Sequence, residues 1–134
     1  MCIRDRGEGE FLVSIKLPLK NSSFSASYER FIPRNEMDIA VAAVASSVSL
    51  ENGKISSCRI ALAAVGPTPI FAEEASKLLV GKEPSEENIK NASNKAKELA
   101  SPISDMRGTV EHRKDLIEVL TRRTLSKAVE RVGV

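Results

Sequence analysis

The residues that most resemble a catalytic cluster lie between positions 105 and 113. Asp105, Arg107, His112 and Arg113 place a carboxylate, two guanidinium groups and the only histidine within nine residues. Such side chains could in principle exchange protons with a substrate. They also stand where a helix is predicted to begin, and ion pairs at such positions mark structure more often than chemistry. We therefore interpret them as a cap and ion pairs that fix this helix onto a sheet.

No other part of the sequence assembles a reaction centre. It contains no acid–base pair, nucleophile elbow or phosphate-cradling glycine loop. The two cysteines, Cys2 and Cys58, are far apart, and with one histidine they exclude a zinc or iron–sulfur site built from this chain alone. The chain alone is not expected to carry out bond chemistry.

Tyr28 and Arg30 are the best candidates for a binding site. They alternate with Glu29 in a segment, Ser27–Ile32, that is predicted to be extended because Pro33 disfavours helical geometry in the residue before it. Alternation places both side chains on one face. Residue types alone would make them ordinary exposed residues of an edge strand.

A β-hairpin is predicted at Asn52-Gly53, which lies between the strand-like runs Asp38–Leu50 and Lys54–Val65. This dipeptide favours a type I′ turn, because both central residues need positive φ. The register predicted from the turn pairs Glu51 with Lys54, Leu50 with Ile55, Val48 with Ser57, Ser46 with Arg59, Ser47 with Cys58, Ala45 with Ile60, Ala43 with Leu62, and Val41 with Ala64.

Three helices are predicted after the hairpin, beginning at Thr68, Ser85 and near Thr109. Pro69 fits the first helical position of the first helix, and Gly81 is expected to end that helix. The apolar stripe predicted for the first helix consists of Phe71, Ala75, Leu78 and Leu79.

Strands followed by helices, without alternation, predict an α+β fold. We expect an antiparallel sheet of three to four strands, followed by three helices packed on one face, with the other face free for a partner. The 20 basic and 18 acidic residues are interleaved, which disfavours nucleic-acid binding. No apolar run is long enough for a membrane span and no signal peptide is recognisable, so a cytoplasmic protein is predicted.

Several short motifs in this chain resemble one family when they are taken in order. They resemble the C-terminal domain of the FAD-binding (medium) subunit of molybdenum hydroxylases, the relatives of xanthine dehydrogenase and carbon monoxide dehydrogenase. The resemblance runs from Phe11 to about Leu125. Its motifs are Tyr28–Ala40, Arg59-Ile-Ala-Leu62, Gly66-Pro-Thr-Pro69, Leu79-Val-Gly-Lys82, Ser104-Asp-Met-Arg107 and Glu111-His-Arg113.

The resemblance implies that Tyr28, Arg30 and Leu12 contact the isoalloxazine ring of FAD. A cation at the polar edge of this ring stabilises negative charge on it and raises its reduction potential. The implied partners are a molybdopterin-binding large subunit and a small subunit with [2Fe-2S] clusters, from which electrons pass through FAD to an acceptor. The substrate of the complex is left open.

The resemblance also implies a domain division. Residues 27–134 form the flavoprotein C-terminal domain, whereas residues 1–26 combine a foreign start at Met1–Arg6, the last strand of a missing FAD-binding domain at Phe11–Pro18, and a linker. The alternative is a free-standing, cofactor-less α+β protein-interaction module. Glycine-rich, phosphate-binding loops encoded in frame upstream of Gly7 would favour the flavin subunit, and a native stop codon there would favour the module.

Overall fold

The computed structural model describes residues 8–11, 13–16, 23–34 and 38–132. Its four strands form one antiparallel sheet in the order β1-β2-β3-β4, and three helices follow, so the predicted α+β fold is confirmed. Within the ranges described, no helix is both long and apolar enough to cross a membrane. The elements are β1 Phe24–Phe31, β2 Ala42–Glu51, β3 Lys54–Ala63, β4 Ile70–Phe71, α1 Glu73–Lys77, α2 Glu86–Leu99 and α3 Val110–Glu130.

The predicted hairpin joins β2 to β3. Asn52 and Gly53 both have positive φ, 52° and 76°, as a type I′ turn requires. The predicted pairs Glu51–Lys54 and Leu50–Ile55 are present. Beyond them the predicted register is wrong by one residue, because a β-bulge lies between Ser49 and Leu50 in the pairing.

The bulge has a clear physical reason. Ile55 and Cys58 have opposite parity, so in a regular strand they would point to opposite faces. Both are buried, with exposed fractions of 1% and 7%, because the extra residue of the bulge returns the strand to the same face. The observed partners are Val48 with Cys58, Ser47 with Arg59, Ser46 with Ile60, Ala45 with Ala61, Val44 with Leu62, and Ala43 with Ala63.

The first helix begins later and ends earlier than predicted, because it spans only Glu73–Lys77 and does not extend to Gly81. Thr68 does not cap it and Pro69 does not open it, because the next two residues form β4 and pair with β3. The amide of Ala72 then donates to the carbonyl of Ile60 at 2.9 Å. Backbone groups at a buried sheet edge need partners, and this need outweighs the local helix signal. Phe71, predicted to lie in the helix stripe, is therefore a strand residue and is 49% exposed.

The other two helices begin where predicted. The hydroxyl of Ser85 accepts from the amide of Asn88, and that of Thr109 accepts from the amide of His112. Helix α3 packs against β1 and β2, α2 packs against α3, and α1 packs against β3 and α2. The core between sheet and helices is built from aliphatic side chains that include Val44, Val48, Ile60, Leu62, Leu79, Ile117 and Leu125.

Helix α3 is joined to the sheet by a buried hydrogen bond. The hydroxyls of Ser46 and Thr124 are 2.8 Å apart. Thr124 also donates to the carbonyl of Leu120 at 2.9 Å, so Ser46 donates to Thr124. One turn earlier on α3, the buried hydroxyl of Thr121 has no hydrogen-bond partner among the described residues. The two threonines therefore form a natural comparison.

Arg113 anchors the start of the same helix. Its side chain is almost fully buried, and Nη1 donates to the carbonyls of Val41 at 2.8 Å and Ala64 at 3.3 Å. Nη2 donates to both carboxylate oxygens of Asp105 at 2.7 and 2.8 Å. The predicted ion pair is present and joins α3 to the loop before it, while the two hydrogen bonds to carbonyls fix the helix to the residues that flank β2 and β3. Asp105 also accepts from the amide of Arg107, whereas the helix cap itself is Thr109.

We predict that Thr124→Val destabilises the protein by about 1–3 kcal/mol, because it leaves the buried hydroxyl of Ser46 without a partner. The double variant Ser46→Ala/Thr124→Val should recover most of this loss. Thr121→Val, the matched control, should change little, since its hydroxyl has no partner to lose. Urea unfolding of the four proteins measures these differences. Equal losses for Thr124→Val and Thr121→Val would contradict the assignment.

A second prediction concerns acid stability. The hydrogen bonds from Arg113 hold the pKa of Asp105 below its ordinary value. Asp105 therefore stabilises the fold fully above about pH 4 to 5, and this contribution is lost as the pH falls through the lowered pKa of the folded state.

We expect Asp105→Asn to be less stable than wild type at pH 7. The difference in the free energy of unfolding between the two proteins should become smaller as the pH is lowered. Unfolding measured between about pH 7 and pH 2 tests this expectation. Glu51→Gln, a change at an exposed carboxylate in the hairpin, is the control and should keep the wild-type profile. A gap that does not change with pH would show that the ion pair is not its source.

Candidate functional site

Strand β1 presents Tyr28 and Arg30 on the side of the sheet opposite the helices. Glu29, which lies between them, points to the other side and forms an ion pair with Lys127 of α3. Because successive side chains of a strand alternate, this contact turns both candidates outward. Tyr28 is 60% exposed. The predicted shared face for Tyr28 and Arg30 is therefore present.

Two further contacts hold β1 in place. Arg131, just beyond the end of α3, donates from Nη1 to the carbonyl of Ala26 at 3.1 Å. The ring of Phe31 meets the ring of His112 edge-on, with 6.0 Å between centroids. His112 is thus part of the contact between β1 and α3.

The side of the sheet opposite the helices is called the open face below. One row of cross-strand partners crosses it: Tyr28 pairs with Ala45, Ala45 with Ala61, and Ala61 with Phe71. The row therefore has an aromatic residue at each end and two alanines between them. Three strand spacings separate the aromatic residues by about 14 Å.

These residues form a shallow groove of about 560 Å³, which we call the open-face groove. The guanidinium of Arg59 lies over the ring of Phe71, 5.3 Å from its centroid, in a cation–π contact. The groove also borders Arg131, and none of the described residues that line it carries a carboxylate. Its lining is therefore apolar with positive charge at the margin.

The groove has features that suit the binding of a flat ligand. An alanine floor lets a flat ring approach the sheet closely, aromatic walls offer stacking or edge contacts, and the guanidinium can donate to a polar or negatively charged edge. Its described lining contains no cysteine, histidine or carboxylate that could act as a nucleophile or general base.

The remaining sequence candidates lie elsewhere. Arg30 pairs with Ala43, two residues along the strands from the pair of Tyr28 and Ala45. It is not among the residues lining the groove. Leu12 lies outside the described residues. Its neighbours Phe11 and Val13 are 74% and 83% exposed. The structure thus joins Tyr28 and Arg30 on one face and leaves Leu12 untested.

Sequence reasoning missed Arg59 and Phe71 as site residues. The predicted register placed Arg59 opposite Ser46, which is buried on the helix side, and the predicted helix buried Phe71. Once the bulge is included, Arg59 is opposite Ser47 on the open face. The opposite parity of two apolar residues on one strand, Ile55 and Cys58, was the signal that could have revealed the bulge.

No metal centre was found. Among the described residues, no group of three or more histidine, cysteine or carboxylate side chains could hold a metal ion. Burial raises the pKa of the Cys58 thiol to about 12, which keeps it protonated at neutral pH. Cys58 is therefore a small core residue.

Comparison with known proteins agrees with the resemblance seen in the sequence. Residues 27–128 match the family described as the CO dehydrogenase flavoprotein C-terminal domain. The carbon monoxide dehydrogenase medium chain of Afipia carboxidovorans is 34% identical over 123 residues, which cover 92% of this chain and 42% of that protein. A putative xanthine dehydrogenase FAD-binding subunit of Escherichia coli is 27% identical and is covered to 43%.

Solved structures give the same result. A structure of carbon monoxide dehydrogenase from Hydrogenophaga pseudoflava superimposes with a TM-score of 0.82 at 29% identity, over 86% of this chain and 40% of that one. This chain therefore spans about two fifths of the length of the relatives named here. The family match covers most of the chain, and we conclude that it belongs to the CO dehydrogenase flavoprotein C-terminal domain family.

Proposed function

We propose that this chain is the C-terminal part of the flavin subunit of a molybdenum hydroxylase. In this proposal it contributes to the FAD site and to subunit assembly, in electron transfer from [2Fe-2S] clusters through FAD to an acceptor. The observation that carries the proposal is the exposed Tyr28 beside an alanine-floored groove, in a chain of this family. Such a surface is better suited to binding a flat ligand than to catalysing a reaction on a substrate.

The residues fit part of FAD. When bound, FAD supplies the redox chemistry. Opposite Tyr28 stands Ala45, whose side chain ends at Cβ, so the face has room there for a ring system, whereas Ala43, opposite Arg30, is itself covered. Binding the pyrophosphate requires backbone amides from a glycine-rich loop or a helix N-terminus, and the sequence offers no glycine-rich loop. In this proposal the ring contact belongs to this chain and the phosphate contact to a preceding domain.

Tyr28 and Arg30 have different tasks in this site. The phenol ring packs beside the flavin ring and excludes water from it. The guanidinium of Arg30 donates toward the polar edge of the ring, where its permanent charge favours electron density on the flavin. Strand alternation, with Glu29 paired to Lys127 on the helix side, places both side chains on the open face.

The proposal includes the domain division implied by the resemblance. Residues 27–134 form the C-terminal domain, and Phe11–Pro18 is the last strand of a preceding FAD-binding domain. Support comes from the exposure of Phe11, Val13 and Ile15, at 74%, 83% and 72%. The described residues of this segment lie outside every strand of the structure, and we propose that in a longer protein they form a strand whose apolar face is covered.

The proposed partners are a molybdopterin-binding large subunit and a small subunit with [2Fe-2S] clusters. The relative from Afipia carboxidovorans is named a medium chain, and another solved structure is that of a Cu,Mo-CO dehydrogenase. We place the complex in the cytoplasm. Buried, protonated Cys58 is compatible with a reducing compartment.

The first prediction from this function concerns FAD itself. The isolated chain should be colourless, because one aromatic contact and one or two hydrogen bonds leave an affinity in the millimolar range or weaker. Joined to the preceding part of the Afipia carboxidovorans medium chain, residues 27–134 should give a yellow protein with stoichiometric FAD. Absorbance of the purified proteins measures both outcomes.

In that chimera, Tyr28→Ala should weaken FAD binding by about tenfold, through lost aromatic packing. Arg30→Ala should weaken retention or shift the flavin potential to a more negative value. Met106→Ala and Lys90→Ala, which remove exposed side chains elsewhere, are the matched controls. A folded chimera without FAD, or a yellow stoichiometric complex of the isolated chain, would contradict the proposed division of the site.

The second prediction concerns Phe11–Pro18. Deleting residues 1–22 should change the stability of the isolated chain by less than about 0.5 kcal/mol, since the described apolar side chains of this segment are exposed.

With the complete preceding domain present, Val13→Asp or Ile15→Asp should destabilise that domain, whereas Ser14→Asp, on the opposite parity, should have a smaller effect. Thermal unfolding followed by circular dichroism measures both. Loss of more than about 1 kcal/mol on deletion would assign the segment to the C-terminal domain instead.

A further inference from the structure

The open-face groove extends well beyond Tyr28 and Arg30, to which the proposed function assigns the flavin contact. Its far side is formed by Phe71 on the two-residue strand β4 and by Arg59 on β3. Both side chains lie in or beside the row that starts at Tyr28. A flat ligand that contacts Tyr28 and spans the groove, about 14 Å from one aromatic residue to the other, reaches them.

The two faces of the same strands have opposite character. On the helix side, β2 and β3 bury large aliphatic side chains such as Val44, Val48 and Ile60. On the open face, the equivalent central positions are Ala45 and Ala61. A sheet face that packs against another protein layer usually presents larger side chains. Alanine at both central positions instead leaves a flat floor between the aromatic walls.

Charge distinguishes this groove from an ordinary apolar patch. Among the described residues, Arg59 takes part in no salt bridge, and its guanidinium is held over the ring of Phe71 at 5.3 Å. The groove lining contains no carboxylate among these residues. Its positive charge is therefore complementary to a ligand with a planar body and an electron-rich edge.

We propose that Arg59, Ala61 and Phe71 complete the flavin-facing surface. The planar ring lies over Ala45 and Ala61 between the aromatic walls, and Arg59 is a second positioning cation for its polar edge, with Phe71 fixing the guanidinium. This inference rests on the proposed function, because it takes the ligand to be the flavin of the complete subunit. In this inference the flavin ring is bound by the alanine floor as well as by Tyr28.

The test introduces a larger side chain on the alanine floor of the FAD-loaded chimera described above. Ala61→Leu should weaken FAD binding at least tenfold, because the leucine occupies the space of the ring. Ser57→Leu is the matched control, since it adds the same side chain to an exposed position of β3, on the same face but outside the groove. FAD content and the FAD dissociation constant are measured for both variants.

Arg59 is tested through the flavin potential. Arg59→Gln should move the reduction potential to a more negative value, and Arg59→Lys should restore most of the shift because it keeps the charge. Phe71→Ala should weaken FAD binding without loss of stability, since Phe71 is half exposed. This variant also provides the decisive measurement if Ala61→Leu does not fold.

The outcomes separate this inference from the proposed function. If Tyr28→Ala and Arg30→Ala impair the flavin but Ala61→Leu matches Ser57→Leu, and Phe71→Ala matches wild type, the inference is wrong and the proposed function stands. If Ala61→Leu keeps its FAD affinity but weakens association with the partner subunits, the groove contacts protein, and the inference is again wrong. A folded chimera that holds no FAD overturns the proposed function itself.

Discussion

The β-bulge between Ser49 and Leu50 is the constraint on which the two faces of this domain depend. It brings Ile55, Cys58 and Ile60 to the same side of β3, although the first differs in parity from the other two. All three apolar side chains can therefore pack in the core, while Ser57 and Arg59 point to the open face. The same irregularity therefore determines both the packing under the helices and the composition of the open face.

Polar contacts with helix α3 hold the sheet that carries the open face. Arg113 joins the start of α3 to the carbonyls of Val41 and Ala64, and the Ser46–Thr124 hydrogen bond joins its middle to β2. Near the end of α3, Lys127 pairs with Glu29 and so fixes the alternation of β1. A long helix with polar contacts along its length thus holds a sheet whose other side is available for a ligand.

This arrangement suits the flavin contact proposed for this domain. Its described residues provide a flat apolar floor, aromatic walls and arginine charges, which are means of orienting a cofactor and adjusting its potential. In the proposed function, the backbone amides for a pyrophosphate come from a preceding domain. A division of labour between ring contact and phosphate contact is consistent with a chain that spans about two fifths of its relatives.

The sequence by itself determined the elements whose signals are local. The Asn52-Gly53 turn, the caps at Ser85 and Thr109, and the shared face of Tyr28 and Arg30 each depend on a few neighbouring residues, and the structure confirms them. Only the tertiary structure decided the register beyond Leu50, the pairing of Ile70 and Phe71 with β3, and hence the far side of the groove. These features arise because a buried sheet edge must satisfy its backbone groups and a core must be filled, and both requirements are met by residues distant in the chain.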